Sequence, residues 1–353
     1  MTTLQLRALL GSDLPLIQAP MAGSQGSALA LAVCAAGGLG SLPAAMLAPE
    51  ALVAELTDLR AGTRRPFNVN FFCHQTPVPN EGREQAWRTR LAPYYVEFGI
   101  DPRSIVAGPG RQPFSDAIAD LVEPFAPPIV SFHFGLPSPA LLDRVKGWGA
   151  RVLSSATTVE EALWLQQHGV DAIIAQGLEA GGHRGMFLTR DVSSQLGTLA
   201  LVRRLVRSVD VPVIAAGGIA DAEGVAAALA LGASGVQVGT AYLLCPEATT
   251  SAVHRQALAD AASEARPHTA LTNLFSGRPA RGIVNRLMRE LGSIRDEAPE
   301  FPLATAAVAP LRTAAERLGR DDFSPLWSGQ NASGAVALPA AEITARLARG
   351  FGL

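Results

Sequence analysis

The chain has 353 residues, 48% hydrophobic and 17% charged, with a formal net charge of −2, so it can bury a large core and carries no basic field for nucleic acid or anionic membrane. Cys34, Cys73 and Cys245 are few and far apart, which excludes a disulfide scaffold and a Cys-based zinc site. The longest apolar stretch, Ala28 to Ala36, is too short to span a bilayer and no leader pattern precedes it, so a cytoplasmic protein with no membrane partner is expected.

Leu14 to Met21 reads as a first strand, and Ser27 to Ala36 as an apolar helix stopped by Gly37-Gly38. Leu39 to Leu42 reads as a second strand, and Pro49 to Arg60 has helical spacing. Pro66 to Phe72 is a third strand, in which Phe67, Val69 and Phe71 alternate with a period of two. Residues 74–128 exceed what one loop and helix need. They read as an insertion after the third strand, with a helix from Glu84 to Phe98. Pro128 to Phe134 and Arg151 to Ser155 are strands four and five, and a helix runs from Val159 to His168. Asp171 to Ala175, Val211 to Ala216 and Gly235 to Gly239 are strands six to eight. Between the last two lies a helix capped by Asp221 and stopped by Gly232. Glu247 to Ala262 reads as the eighth helix. Strand–helix alternation of this kind implies a parallel sheet with right-handed connections.

The expected fold class is therefore α/β, a (β/α)8 TIM barrel in residues 1–262. That barrel type needs about 250 residues. The insertion and the segment 263–353 are extra. Asn273 to Ile283, a polar loop with two arginines, is expected to lie as a cover over the active face.

The most informative stretch is Gln176-Gly177-Leu178-Glu179-Ala180-Gly181-Gly182-His183-Arg184-Gly185, where strand six opens into a glycine loop carrying one histidine. Glycine lets backbone approach a ligand closely, and histidine offers proton chemistry near neutral pH. The pairs Gly217-Gly218 and Gly239-Thr240 follow strands seven and eight, the place where barrels commonly hold a phosphate. His133, in Ser131-Phe132-His133-Phe134-Gly135, is at the end of strand four. His74, His168, His254 and His268 read as surface or structural. No His-Glu-x-x-His, nucleophile elbow or P-loop occurs, so metal, acyl-transfer and ATP chemistry find no support. Asn70, Gln176 and Gln237 fall at strand ends. Amides donate and accept, which suits the mixed edge of a flavin ring.

At this point the chain resembles class I nitronate monooxygenases, once called 2-nitropropane dioxygenases. The resemblance rests on Gln18-Ala19-Pro20-Met21-Ala22-Gly23, Phe67-Asn68-Val69-Asn70, the Ser-Phe-His-Phe-Gly motif, the His183 loop, Ala215-Ala216-Gly217-Gly218-Ile219 and Gly239-Thr240. It implies non-covalent FMN. Met21, Ala22 and Gly23 would lie along the flavin, with Asn70 and Gln176 at its ring edges. Gly181, Gly217, Gly218, Gln237, Gly239 and Thr240 would hold the ribityl chain and phosphate. His183 matches the family's catalytic histidine, and His133 a substrate-pocket histidine. The implied reaction takes a small-molecule nitronate and O2 to an aldehyde or ketone plus nitrite, without metal. Where that family often has Thr-Pro, this chain has Ser24-Gln25-Gly26-Ser27, which leaves the start of the next helix open. The alternatives are sister flavin barrels, NADH:quinone reductases and FMN-dependent enoyl-acyl-carrier-protein reductases, and a non-catalytic flavin-binding barrel.

Overall fold

The structure, a computed structural model of the chain, describes residues 2–105, 110–263 and 268–352. Parts of the expected insertion (106–109) and of the C-terminal segment (264–267) lie outside them.

A short helix, α1 (Thr3–Leu10), comes first, opened by a capping box between Thr2 and Gln5. Then β1 (Leu16–Gln18), α2 (Ser27–Ala35), β2 (Ser41–Pro43), α3 (Pro49–Gly62) and β3 (Asn68–Phe72) follow. The insertion supplies α4 (Glu81–Glu97) and α5 (Asp116–Val122). The barrel resumes with β4 (Ile129–His133), α6 (Pro139–Gly147), β5 (Arg151–Ala156), α7 (Val159–Gln167) and β6 (Ala172–Gln176). A two-residue strand, β7 (Gly182–His183), precedes α8 (Thr198–Ser208), β8 (Val213–Ala216), α9 (Ala222–Ala230), β9 (Gly235–Val238) and α10 (Ala252–Ala262). The rest forms β10 (Thr269–Thr272), β11 (Ala280–Ile283), α11 (Arg286–Leu291), α12 (Ala304–Arg317) and α13 (Ala340–Ala348).

Eight parallel strands run in the order β1-β9-β8-β6-β5-β4-β3-β2. The ring closes between its ends: Leu39 N donates to Leu16 O at 2.8 Å, and Gln18 N to Leu39 O at 2.9 Å. The (β/α)8 barrel read from the sequence is the observed fold. Strand residues alternate between two cores. Val69, Phe71, Val130, Phe132 and Val152 face the helices. Ile17, Ile129, Leu153, Ile174 and Ile214 fill the barrel, and Leu6 and Leu10 of α1 pack into the same cluster. A third core joins the two extra segments. Trp87, Leu91 and Tyr95 of α4 pack with Leu287, Leu311 and Phe323 from beyond residue 280.

Two local readings change, and one left open is filled in. The helix after strand eight starts at Ala252, not at Glu247. The Glu247 carboxylate instead accepts the N–H of Ala340, at the start of α13, at 3.2 Å from each oxygen. The polar loop 273–283 ends in a strand, because Ala280 and Arg281 of β11 pair antiparallel with His183 and Gly182 of β7. The start of α2 has no cap from its own Gly26. Glu55 of α3 reaches across and accepts from Ser27 N at 2.5 Å.

Candidate active site

The C-terminal ends of the strands open into one cavity. Its atom-free space is about 1320 Å³, part of it open to solvent. Met21, Ala22, Asn70, Gln176, Gly181, Gly217, Gly218, Gln237, Gly239, Thr240, His133 and His183 all line it. Gly23 does not. It sits at φ +82° in the turn that brings Ser24 N to Met21 O at 3.0 Å, so its part is to bend the chain behind Met21 and Ala22.

Two parts of the cavity lining differ in chemistry. One part is glycine backbone with Gln237 and Thr240. A Cβ on Gly239 would meet only Ala19 Cβ at 3.4 Å and Met21 Sδ at 3.7 Å, an ordinary contact, so this glycine keeps space open rather than relieving a clash. A Cβ on Gly181 would lie 2.6 Å from Gly329 N, so here the close neighbour is the protein itself. Thr240 Oγ1 accepts from Gly329 N at 3.0 Å, which leaves its own proton for an acceptor in the cavity. Gln237 Oε1 is buried without a partner. A buried amide oxygen in that state calls for a donor on a ligand.

The other part is histidine and phenyl. His183 Nε2 lies 2.8 Å from Ser276 Oγ, and Ser276 Oγ donates onward to Arg278 O at 3.5 Å. The arrangement satisfying all three groups has Nε2–H donating to Ser276. That leaves the Nδ1 lone pair free as a base, and no hydrogen bond reaches Nδ1 among the described residues. Burial first, and then the guanidinium of Arg111, hold the ring well below its ordinary pKa, so it is neutral near pH 7. His133 is also kept neutral, by burial, at about 3. Its Nε2 donates to His183 O at 3.1 Å, so its Nδ1 accepts from Ser155 Oγ at 2.9 Å. Both nitrogens of His133 are thereby engaged, and it acts on the position of His183. Gln176 is engaged in the same way. Its Nε2 donates to His183 O at 2.9 Å and its Oε1 accepts from Gly185 N at 2.7 Å. Asn70 Nδ2 is tied to Ser131 Oγ at 2.9 Å and Ser131 O at 3.1 Å.

The fully buried Arg184 fixes the loop between. It donates to Gln195 Oε1 at 2.5 Å, Gly177 O at 2.8 Å and Gln176 O at 2.7 Å. Around the histidines stand Phe72, Phe134 and Phe301. Phe301 is 5.2 Å from the His183 ring and 4.8 Å from that of His74. Phe134 is held at φ +70°, a strained value for a phenylalanine, directly after His133.

Several cavity residues carry no sequence signal. Arg111 comes from the insertion, and Trp327, Gly329 and Asn331 from beyond the barrel. Two histidines read as surface or structural are buried. His254 lines the cavity with its Nε2 3.0 Å from Trp327 O. His74 packs beside the cavity with neither ring nitrogen hydrogen-bonded. Among the described residues no group of three or more His, Cys, Asp or Glu is placed to hold a metal ion, and no helix is long and apolar enough to cross a membrane.

A closed (β/α)8 barrel whose mouth holds one cavity lined by glycine backbone and a neutral histidine belongs to the ligand-binding barrel enzymes. The chain belongs to the nitronate monooxygenase family, whose model matches residues 4–350. A nitronate monooxygenase of Paraburkholderia phytofirmans is 43% identical over 346 residues, 98% of this chain and 94% of that one. A solved nitroalkane oxidase from Streptomyces ansochromogenes superposes with a TM-score of 0.87 at 38% identity, covering 98% and 97% of the two chains. The solved FabK of Thermotoga maritima gives a TM-score of 0.72 at 26% identity, covering 99% and 96%.

Proposed function

We propose that the chain binds FMN in this cavity and oxidises small alkyl nitronates, such as propionate 3-nitronate, with O2 to an aldehyde or ketone and nitrite. The observation that carries the reading is His183, neutral and with one ring nitrogen free, lining the same cavity as the glycine backbone of Gly217-Gly218 and Gly239. The fit to FMN rests on the orphan Gln237 Oε1, the unspent Thr240 proton and the space kept by Gly239. Gly217-Gly218 and Gly239-Thr240 would hold the phosphate, and Met21 and Ala22 would lie along the ring. When bound, FMN supplies the electron acceptor for the nitronate and the route of electrons to O2.

The protein's own part is to bind, orient and handle the proton. Arg111 and Arg278 draw an anion inward. Phe72, Phe134 and Phe301 exclude water from the reacting end. His183 Nδ1 accepts a proton from a neutral nitroalkane, which must lose one from carbon first and is therefore the poorer substrate. In this reading residues 1–262 are the flavin barrel, 74–128 its insertion, and 263–353 the cover. The enzyme works in the cytoplasm on small molecules without a metal.

The test is oxygen uptake and nitrite release with ethylnitronate, beside NADH plus a quinone in a separate assay. Nitrite from the nitronate, and a flavin left oxidised by NADH under anaerobic conditions, are expected. Flavin bleached by NADH, with no nitrite from any nitronate, transfers the chain to the reductase reading.

A further inference from the structure

A second cavity lies where the barrel strands begin, at the opposite face from the histidines. It holds about 1300 Å³ of atom-free space, part of it open to solvent. Its walls come from the last turn of α1, the segment between α3 and β3, the start of β4 and the turn between α6 and β5. The sheet register holds these pieces level. Arg151 of β5 is opposite Ile129 of β4, and Ile129 is opposite Asn68 of β3. Neighbouring strands are about 5 Å apart, so Arg151 and the run just before Asn68 share one small area of the barrel floor.

Four guanidiniums line this cavity, those of Arg60, Arg64, Arg65 and Arg151, and no Asp or Glu lines it among the described residues. That is a local excess of positive charge in a chain whose net charge is −2. The fold accounts for part of it. Arg65 pairs with Asp13, and Arg151 with Asp171 at 3.3 Å, both acids standing outside the lining. Arg60 is in the last turn of α3, where a cation complements the helix dipole. Arg64 lies beyond that helix, and neither it nor Arg60 has a carboxylate partner among the described residues. This face of a barrel ordinarily serves stability, whereas like charges gathered around a hollow oppose it. Water screens a single exposed ion pair, so an anion with one charge gains little here. An anion with several adjacent charges meets several guanidiniums at once. Phosphoryl groups in a row are such an anion, and each matches the guanidinium fork.

We propose that the cavity at the strand beginnings is a second ligand site, in which Arg60, Arg64, Arg65 and Arg151 bind a polyphosphate anion. It is separate from the nitronate chemistry at the other face of the barrel. Its ligand chemistry has two sources, an inorganic polyphosphate and a nucleoside triphosphate. Leu9 and Pro66 give the hollow an apolar wall that a base can cover.

The experiment is calorimetric titration of the FMN-loaded protein at low salt, with tripolyphosphate and, separately, with metal-free ATP. Loading with FMN keeps the probes out of the glycine-lined cavity, and the variants locate what binds. Both probes should bind one to one, and sulfate at equal ionic strength should not displace them. The double variant Arg60→Gln, Arg64→Gln should weaken both by about tenfold or more and leave nitronate turnover unchanged, which also shows that it has folded. Arg64→Gln alone should give part of that loss. The double variant Arg204→Gln, Arg207→Gln removes the same charge from the exposed side of α8 and should bind as wild type does. Tighter binding of ATP than of tripolyphosphate assigns the site to a nucleotide, and equal binding assigns it to the phosphoryl chain alone. Failure of both probes to bind overturns the proposal. Equal weakening in the two double variants, or displacement by sulfate at equal ionic strength, also overturns it, because the attraction would then be one of general charge.

Discussion

Single residues in the cavity divide by what their free atoms face. His183 keeps one nitrogen for the ligand, whereas His133 and Gln176 spend their polar atoms on His183 O, Ser155 Oγ and Gly185 N. His183→Ala should therefore retain flavin and lose turnover by about 10² to 10⁴, the usual contribution of a positioned acid–base group. Rapid-mixing kinetics with a nitronate and the flavin content of the same preparation check it. Wild-type turnover in a flavin-loaded variant would remove His183 from the chemistry. The glycines divide too. Gly181 and Gly217 cannot take a Cβ without striking backbone atoms, so substituting them damages the chain itself. Gly239 has negative φ and room for a Cβ in ordinary contact with Ala19 and Met21, so Gly239→Val acts chiefly on the ligand. That variant should lose most of its FMN while the flavin-free chain changes stability by less than about 1 kcal/mol. Equal flavin content in variant and wild type would place the phosphate end elsewhere.

At the scale of elements, the His183 loop is held from both sides. Arg184 ties it to the end of β6, and β11 pairs with it as β7. Arg281 of β11 adds a hydrogen bond to Leu178 O at 2.8 Å. Arg184→Ala leaves two buried acceptors, Gln176 O and Gln195 Oε1, unmet, at about 1–3 kcal/mol each, while Gly177 O keeps Ala180 N. The expected result is a loss of about 3 kcal/mol or more in denaturant unfolding, together with a fall in turnover. Stability within 1 kcal/mol of wild type would show that the loop needs no such tie. These elements also show what the sequence makes legible. Some barrel strands announce themselves because they bury both faces in a short apolar run ended by glycine, as in Val213 to Gly217. The glycine loop and His183 follow from the same punctuation. The β7–β11 pair was not legible, since two residues have no period and Arg281 breaks the apolar pattern of a buried strand. Arg111 and Trp327 were not legible either. They reach the cavity because α4 and the segment beyond residue 280 share the Trp87–Leu311–Phe323 core, a long-range fact with no local trace. The capping of α2 by Glu55 is another case, because its donor and acceptor are 28 residues apart.

Over the whole molecule, four of the six histidines are held neutral by burial, and this couples stability to pH. His133 is lowered to about 3, His74 and His254 to about 4, and His183 well below its ordinary value of 6.5. Desolvation is the first cause in every case, and the arginines that face these rings push the same way. The backbone carbonyls of Arg111, His183 and Trp327 pull the other way at His74, His133 and His254 and do not prevail. Above about pH 6.5 the four are neutral both folded and unfolded, and their contribution is fully present. As pH falls below 6.5 the unfolded chain takes up protons that the folded chain refuses. Stability must then drop, and it continues to drop until the folded rings titrate near pH 4 and below. The melting temperature should therefore be level above pH 7 and fall steadily from pH 6.5 to pH 4. His74 offers the control, because the Arg111 carbonyl beside it makes no well-formed hydrogen bond to its ring nitrogens and the ring packs edge-on against Phe301. His74→Phe keeps an aromatic ring there and removes the titrating group, so its melting temperature should fall less between pH 6.5 and pH 4 than that of wild type. Calorimetric scans of both proteins across that range decide the matter. A wild-type profile flat from pH 7 to pH 4.5, or a His74→Phe profile parallel to it throughout, would mean that His74 is protonated in the folded chain and that the cavity admits more water than its phenyl walls suggest.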